Sequence, residues 1–309
     1  MNLVLPFVQS EYALALDWIR WVKTFCGFQP NYVIHLLPFK GMDYEEAETL
    51  AKTVFKDCVV IPDEQGVVSD WKGGKPKRDA RGPNSLFRQA AWHFYYAKKG
   101  PWFYCEVDCV PVKKDAFDLV LEEYESVSSD KPFLGTVMEA TTRLWMNGSA
   151  IYPQDVPEQA PNLITMTEYT TGHEVAFDFA GAQQVVPKAH NSSLFQNIYL
   201  LEGKNKIPTF PKHKHLLKPE TAFFHRCQDG SLMKMLAAEG NGSATEMNRT
   251  FPERLARCEE EIEPRKRPRA KVRHRRKRGP MSEATRQKIR DTLKLRREME
   301  LAQSDENLN

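Results

Sequence analysis

Apolar positions along the first hundred residues fall into two alternating repeats. Leu3 to Val8 is a short unbroken apolar run of strand length. Leu14, Leu16, Ile19, Trp21, Val22 and Phe25 then recur at roughly helical spacing until Gly27, a residue type that ends helices because it tolerates left-handed backbone. Tyr32 to Leu37 predicts a second strand, Tyr44 to Phe55 a helix with Glu45, Glu46 and Glu48 near its start, and Cys58 to Ile61 a third strand. A loop carrying Gly66, Gly73, Gly74 and Pro76 precedes a helix over Leu86 to Ala97 that starts near Asn84 or Ser85, whose short polar side chains suit an N-cap. Pro101 to Cys105 is almost wholly apolar, as a central strand covered on both faces would be. Strands alternating with helices imply an α/β fold with a mainly parallel sheet. Further strands are expected at Phe133 to Val137 and Ser149 to Tyr152, and a hairpin-like stretch at Phe195 to Leu201. The pattern leaves the topology of 130–251 open.

Charge divides the chain more sharply than hydropathy. The net charge is only +3, yet Arg265 to Arg297 holds sixteen Lys and Arg against Glu283 and Asp291, a local +14 that leaves −11 for the remainder. This separates a body over 1–258 from a basic linker over 259–280, punctuated by Pro264, Pro268 and Pro280, and a short helical segment over 281–309 capped at Ser282. No apolar run reaches the length needed to span a bilayer, and the N-terminus lacks the basic start of a signal peptide, so a cytoplasmic protein is expected. Six cysteines without a CxxC pair argue for reduced, buried thiols.

The residues that carry chemistry lie at the end of the apolar 101–105 run. On an extended chain Glu106 and Asp108 would point to the same side while Val107 turns into the core. Two hard oxygen donors at the carboxyl end of a parallel strand suit Mg²⁺ or Mn²⁺ shared with a diphosphate. An isolated E-x-D is also the signature of an ordinary solvated strand end. The strand with its E-x-D-C-V-P sequel resembles the metal-binding DxD segment of glycosyltransferases of the GT-A fold, in particular a group found in phage genomes. Gly82-Pro83-Asn84-Ser85, Gly148-Ser149-Ala150-Ile151-Tyr152-Pro153 and Phe224-His225-Arg226-Cys227-Gln228-Asp229-Gly230-Ser231-Leu232 resemble further segments of that group, over about residues 1–235. Glu106 departs from the commoner aspartate.

The resemblance implies a nucleotide-sugar donor, most commonly a UDP-sugar, and His225 as a third metal ligand. It also implies that Asp229, Gly230 and Ser231 offer backbone N–H groups to phosphate at a helix start, and that Asn84 and Ser85 hold the nucleotide, although helix capping accounts for both. A core histidine beside Phe223 and Phe224 is the plainer reading of His225. For an inverting reaction Asp178 is the candidate general base, with Glu174 and Glu139 as competitors.

The basic run supplies Arg265, Lys266, Arg267, Arg269, Lys271, Arg273, Arg275, Arg276, Lys277 and Arg278, which would release counterions on meeting a polyanion. The stretch from Arg278 to Arg290 resembles the short modular DNA-binding motifs attached to phage and intron homing nucleases. That resemblance implies phosphate contacts from Arg286, Lys288 and Arg290. Together the two resemblances imply transfer of a sugar to a hydroxyl of a modified base in DNA. A non-catalytic DNA-binding accessory protein and a transferase acting on surface glycans are the alternatives.

Overall fold

The computed structural model describes residues 1–64, 66, 81–140, 143–165, 175–197 and 209–239. The expected linker, basic run and C-terminal helix, the Gly73–Gly74 loop and Glu174 lie outside the described residues. Twelve strands are present among them: β1 (Asn2–Phe7), β2 (Gln29–Pro38), β3 (Phe55–Val60), β4 (Trp102–Tyr104), β5 (Val110–Pro111), β6 (Phe133–Gly135), β7 (Val137–Ala140), β8 (Arg143–Met146), β9 (Ala150–Tyr152), β10 (Ala189–Asn191), β11 (Phe195–Asn197) and β12 (Phe223–His225). The α-helices are α1 (Tyr12–Trp21), α2 (Glu45–Ala51), α3 (Arg81–Ala97), α4 (Ala116–Val127) and α9 (Ser231–Glu239), with the single turns α5 (Val156–Gln159), α6 (Asn162–Thr165), α7 (Phe177–Ala180) and α8 (Ala182–Val185) between α4 and α9.

Seven strands form the main sheet in the order β10-β6-β9-β4-β1-β2-β3. β1 pairs in parallel with both β2 and β4, β2 with β3 and β10 with β6, while β9 runs antiparallel between β4 and β6. The mainly parallel α/β sheet expected from the pattern is therefore the one observed. Its central strands are buried on both faces, and alternate side chains feed two separate cores. Leu3, Leu5 and Phe103 join Trp18, Phe117 and Met233 under α1, α2, α4 and α9. Val4, Trp102 and Tyr104 join Phe87, Phe94 and Phe177 under α3 and the short turns.

Several boundaries differ from expectation for physical reasons. α1 ends at Trp21 and passes into a π-turn over Val22–Cys26 before Gly27, which adopts φ 80°. The acidic helix is shorter than Tyr44 to Phe55, because the aromatic ring of Phe55 already belongs to β3. α3 starts at Arg81, so Asn84 and Ser85 lie inside its first turns and do not cap it. The Phe133 to Val137 strand breaks at Thr136, whose hydroxyl donates to the Phe195 carbonyl at 2.6 Å. β11 pairs in parallel with β12, so Phe195 to Asn197 is not one arm of a hairpin; residues 198–201 lie outside the described set. α4 has no counterpart among the elements expected from the sequence, although Phe117, Val120 and Tyr124 lie on one buried face of it.

Candidate metal centre and active site

β4 delivers the chain to the carboxyl end of the sheet and stops at Tyr104. The E-x-D segment that follows is not extended. A turn closes it, with the Cys109 N–H donating to the Glu106 carbonyl at 2.8 Å, so the expected same-side geometry of a strand does not apply. Convergence comes from the turn instead: Val107 points into the core as expected, while Glu106 and Asp108 both reach the ring of His225. Two indoles hold the exit of the turn, Trp18 Nε1 donating to the Cys109 carbonyl at 2.7 Å and Trp21 Nε1 to the Pro111 carbonyl at 2.9 Å. These bonds explain why the two tryptophans of α1 face inward with their polar edges satisfied.

His225 arrives on β12, which pairs antiparallel with β5 and parallel with β11. The Cys227 N–H donates to the Asp108 carbonyl at 3.0 Å and fixes the two segments against each other. His225 Nε2 then lies 2.7 Å from Glu106 Oε2 and 2.9 Å from Asp108 Oδ1. The three residues present ligand atoms within 4.8 Å of one another, a spacing one ion can bridge. Asp108 and His225 are buried and Glu106 is partly exposed, which gives the cluster one open side. Two carboxylate oxygens and an imidazole nitrogen suit Mn²⁺ better than Mg²⁺, because the nitrogen is a softer donor than Mg²⁺ prefers. The cluster fits a divalent ion by spacing and by donor type.

The charges behave as a tightly coupled set. Burial works against the charge on His225, yet the Asp108 and Glu106 carboxylates hold its pKa well above the ordinary histidine range. Burial likewise opposes ionisation of Asp108, and the His225 imidazolium, followed by Arg226, holds its carboxyl below the usual value. Asp178 stands in the first turn of α7, its Oδ1 accepting the Phe179 N–H at 2.8 Å. Desolvation and then the negative charge of Glu106 push its carboxyl up to about 7. Glu11, in the turn after β1, is also pushed to about 7, by desolvation with added repulsion from Asp108 and Glu106.

Other expected site residues have different duties. Asn84 is fully buried; its Oδ1 accepts the Phe177 N–H at 2.8 Å and its Nδ2 donates to the Val175 carbonyl at 2.9 Å. It clamps the segment that carries Asp178 and leaves no free amide for a nucleotide. Ser85 is also buried in α3. Asp229 Oδ1 accepts both the N–H and the hydroxyl of Ser231, at 3.0 and 2.8 Å, while the Gly230 N–H donates to the Cys227 carbonyl at 3.2 Å. The Gly230 and Ser231 N–H groups are therefore engaged within the chain. Glu139 is exposed on the hairpin β7–β8.

Residues not singled out beforehand also line the site. Ser149, at the head of β9, places its hydroxyl 3.4 Å from Glu106 Oε2 and from the Glu106 N–H. Arg226 adopts φ 86°, a left-handed conformation costly for a side chain of its size, directly after His225. A narrow cavity beside the ring of His225 is lined by Thr136, Asn147, Ser149, Gln196 and Asn197. Of these, Ser149 and Arg226 lie within the segments that resemble the GT-A group, and the others carry no signal in the sequence.

No protein-family model matches the chain, and no curated protein matches it. Among solved structures it is similar to the galactosyltransferase LgtC in complex with donor and acceptor sugar analogues, at 11% identity over 80% of this chain and 98% of that one, with TM-score 0.48. It is similar to mouse xyloside xylosyltransferase 1 in its apo form, at 12% identity over 73% and 97%, TM-score 0.45. A third similar structure, the bifunctional glycosyltransferase WbbM, shares 8% identity over 83% of this chain and 51% of that one, TM-score 0.47. At these values the likeness is one of general layout. No helix among the described residues is long and apolar enough to cross a membrane.

Proposed function

We propose that the chain is a metal-dependent glycosyltransferase of the GT-A type that moves a sugar from a nucleotide-sugar donor to a hydroxyl acceptor. The observation that carries this reading is the meeting of Glu106, Asp108 and His225 at the carboxyl end of a mainly parallel sheet, with Nε2 within 2.9 Å of both carboxylates. The ion, when bound, would neutralise charge building on the departing diphosphate. Glu106, Asp108 and His225 would hold it, and Ser149 would steady the Glu106 carboxylate. Asp178, held near neutrality and clamped by Asn84, is suited to take the proton of the acceptor hydroxyl. A UDP-sugar is the donor to test first, with Mn²⁺.

The acceptor assigned to this site is a hydroxyl on a modified base of phage DNA. Support for that step is the sequence alone: a +14 segment attached to an acidic body, with Arg286, Lys288 and Arg290 on its final stretch. Labelled UDP-sugars offered with hydroxymethylated and unmodified DNA test both parts. Label on hydroxymethylated DNA alone is the expected result. Label on a glycan or protein and none on DNA would keep the transferase and remove the DNA acceptor. Neither donor binding nor hydrolysis, with DNA retained, would favour a non-catalytic DNA-binding protein.

A further inference from the structure

We infer that Asn197 is a positioning residue for the metal centre: its side-chain oxygen receives the Nδ1–H of His225 and so fixes the tautomer and ring orientation in which Nε2 faces the ion. The inference rests on the metal reading of the Glu106, Asp108 and His225 cluster and adds a fourth residue to it.

The geometry begins with strand register. β11 and β12 pair in parallel with Phe195 opposite Phe223 and Asn197 opposite His225. Side chains two apart on a strand share a face, so the stack of Phe195 on Phe223, 5.7 Å between centroids and 20° between planes, sets the place of Asn197 beside His225. A slip by one residue would break the aromatic stack and turn Asn197 to the other face. The result is a contact of 2.8 Å between Asn197 Nδ2 and His225 Nδ1.

The chemistry of the ring decides which end of the amide serves. Nε2 is the nitrogen that faces both carboxylates. To ligate an ion there it must present a lone pair, and the ring proton then resides on Nδ1. Nδ1–H needs an acceptor, and Asn197 is the side chain within hydrogen-bonding distance of it. Asn197 Oδ1 is buried without a partner in the arrangement observed. The two ends of an amide are nearly the same size and exchange by a half-turn, so the oxygen can take the inner position within the same packing. A metal-bound histidine that lacks such an outer partner typically loses 10–100-fold in metal affinity.

The test is calorimetric titration of the full chain with Mn²⁺, alone and with UDP, on the unsubstituted protein, N197L, N197D and D108N. N197L keeps the branching and deletes the acceptor; it should bind Mn²⁺ about 10–100-fold more weakly, with thermal melts checking that it is folded. N197D restores an acceptor and should bind at least as tightly as the unsubstituted protein. Equal Mn²⁺ affinity in N197L and the unsubstituted protein would overturn the role of Asn197 while leaving the metal site intact. Should N197L fail to fold, N197A replaces it, and weaker binding by N197D overturns the proposal independently. If the unsubstituted protein and D108N both bind no Mn²⁺, the metal reading fails and this inference with it.

Discussion

Replacement of Asp108 by Asn removes one charge from the cluster and almost nothing else. The side chain keeps its size, and the backbone carbonyl that accepts the Cys227 N–H is untouched. His225 keeps Glu106 at 2.7 Å, and an amide oxygen at position 108 can still accept its proton, so the imidazolium is not left unpaired. The metal-free chain should lose at most about 3–5 kcal/mol, the cost of removing one partner of a buried ion pair, less what Glu106 and the amide oxygen retain. The ion loses an interaction of similar size. A unit charge about 4 Å from another is worth ~4 kcal/mol at an effective dielectric of about 20, and Asp108 is only 7% exposed, with little water to compensate. A loss of ~4 kcal/mol is about three decades, to be read both in Mn²⁺ affinity by calorimetry and in turnover of a UDP-sugar with a small acceptor. Thermal melts of the same preparations check that the chain is folded. Turnover within tenfold of the unsubstituted protein, with Mn²⁺ binding unchanged, would refute the assignment of the cluster.

Asp178→Asn should lower kcat by about 10²–10⁴ if the carboxylate is the base, and the unsubstituted enzyme should lose activity as pH falls through about 7, where this group takes up its proton. The same raised pKa means the folded state binds a proton the unfolded chain has already released, so this group's contribution to stability falls as pH rises from about 4 to about 7; urea melts of the Asn variant should gain on the unsubstituted protein at pH 8 and not at pH 4. Trp18→Phe leaves the buried Cys109 carbonyl with only the weak Cys105 thiol donor at 3.5 Å and should cost about 1–3 kcal/mol in urea unfolding. Deleting 265–309 should abolish retention on DNA at moderate salt and spare turnover of small acceptors; retention that survives would place DNA recognition in the body.

Sequence patterning reveals the left half of this fold well and the right half poorly. β1, β2 and β4 are read from short apolar runs because central strands covered on both faces bury most of their side chains. Past residue 130 the described strands are three or four residues long and the helices before α9 single turns, too short for any period to register. For the site, Glu106, Asp108 and His225 are legible, but the reason offered for the first two is not the one at work: a turn, not an extended strand, brings them together. Asn84 and the Asp229–Ser231 segment are polar residues in the right neighbourhood whose hydrogen bonds are spent on backbone, a distinction that only coordinates can make. Asn197 is invisible beforehand, since its meaning lies in a register with a strand far along the chain.

The bond between Cys227 and Asp108 ties the end of the described body to its middle at the point where the ligands gather. A cation held there would clasp two stretches that are remote in sequence, and unfolding would have to release it. Heat resistance would then climb with the logarithm of free manganese, by about 2.7 kcal/mol at a hundredfold excess over the dissociation constant. Supply of the ion would govern how long the protein survives as well as how fast it works.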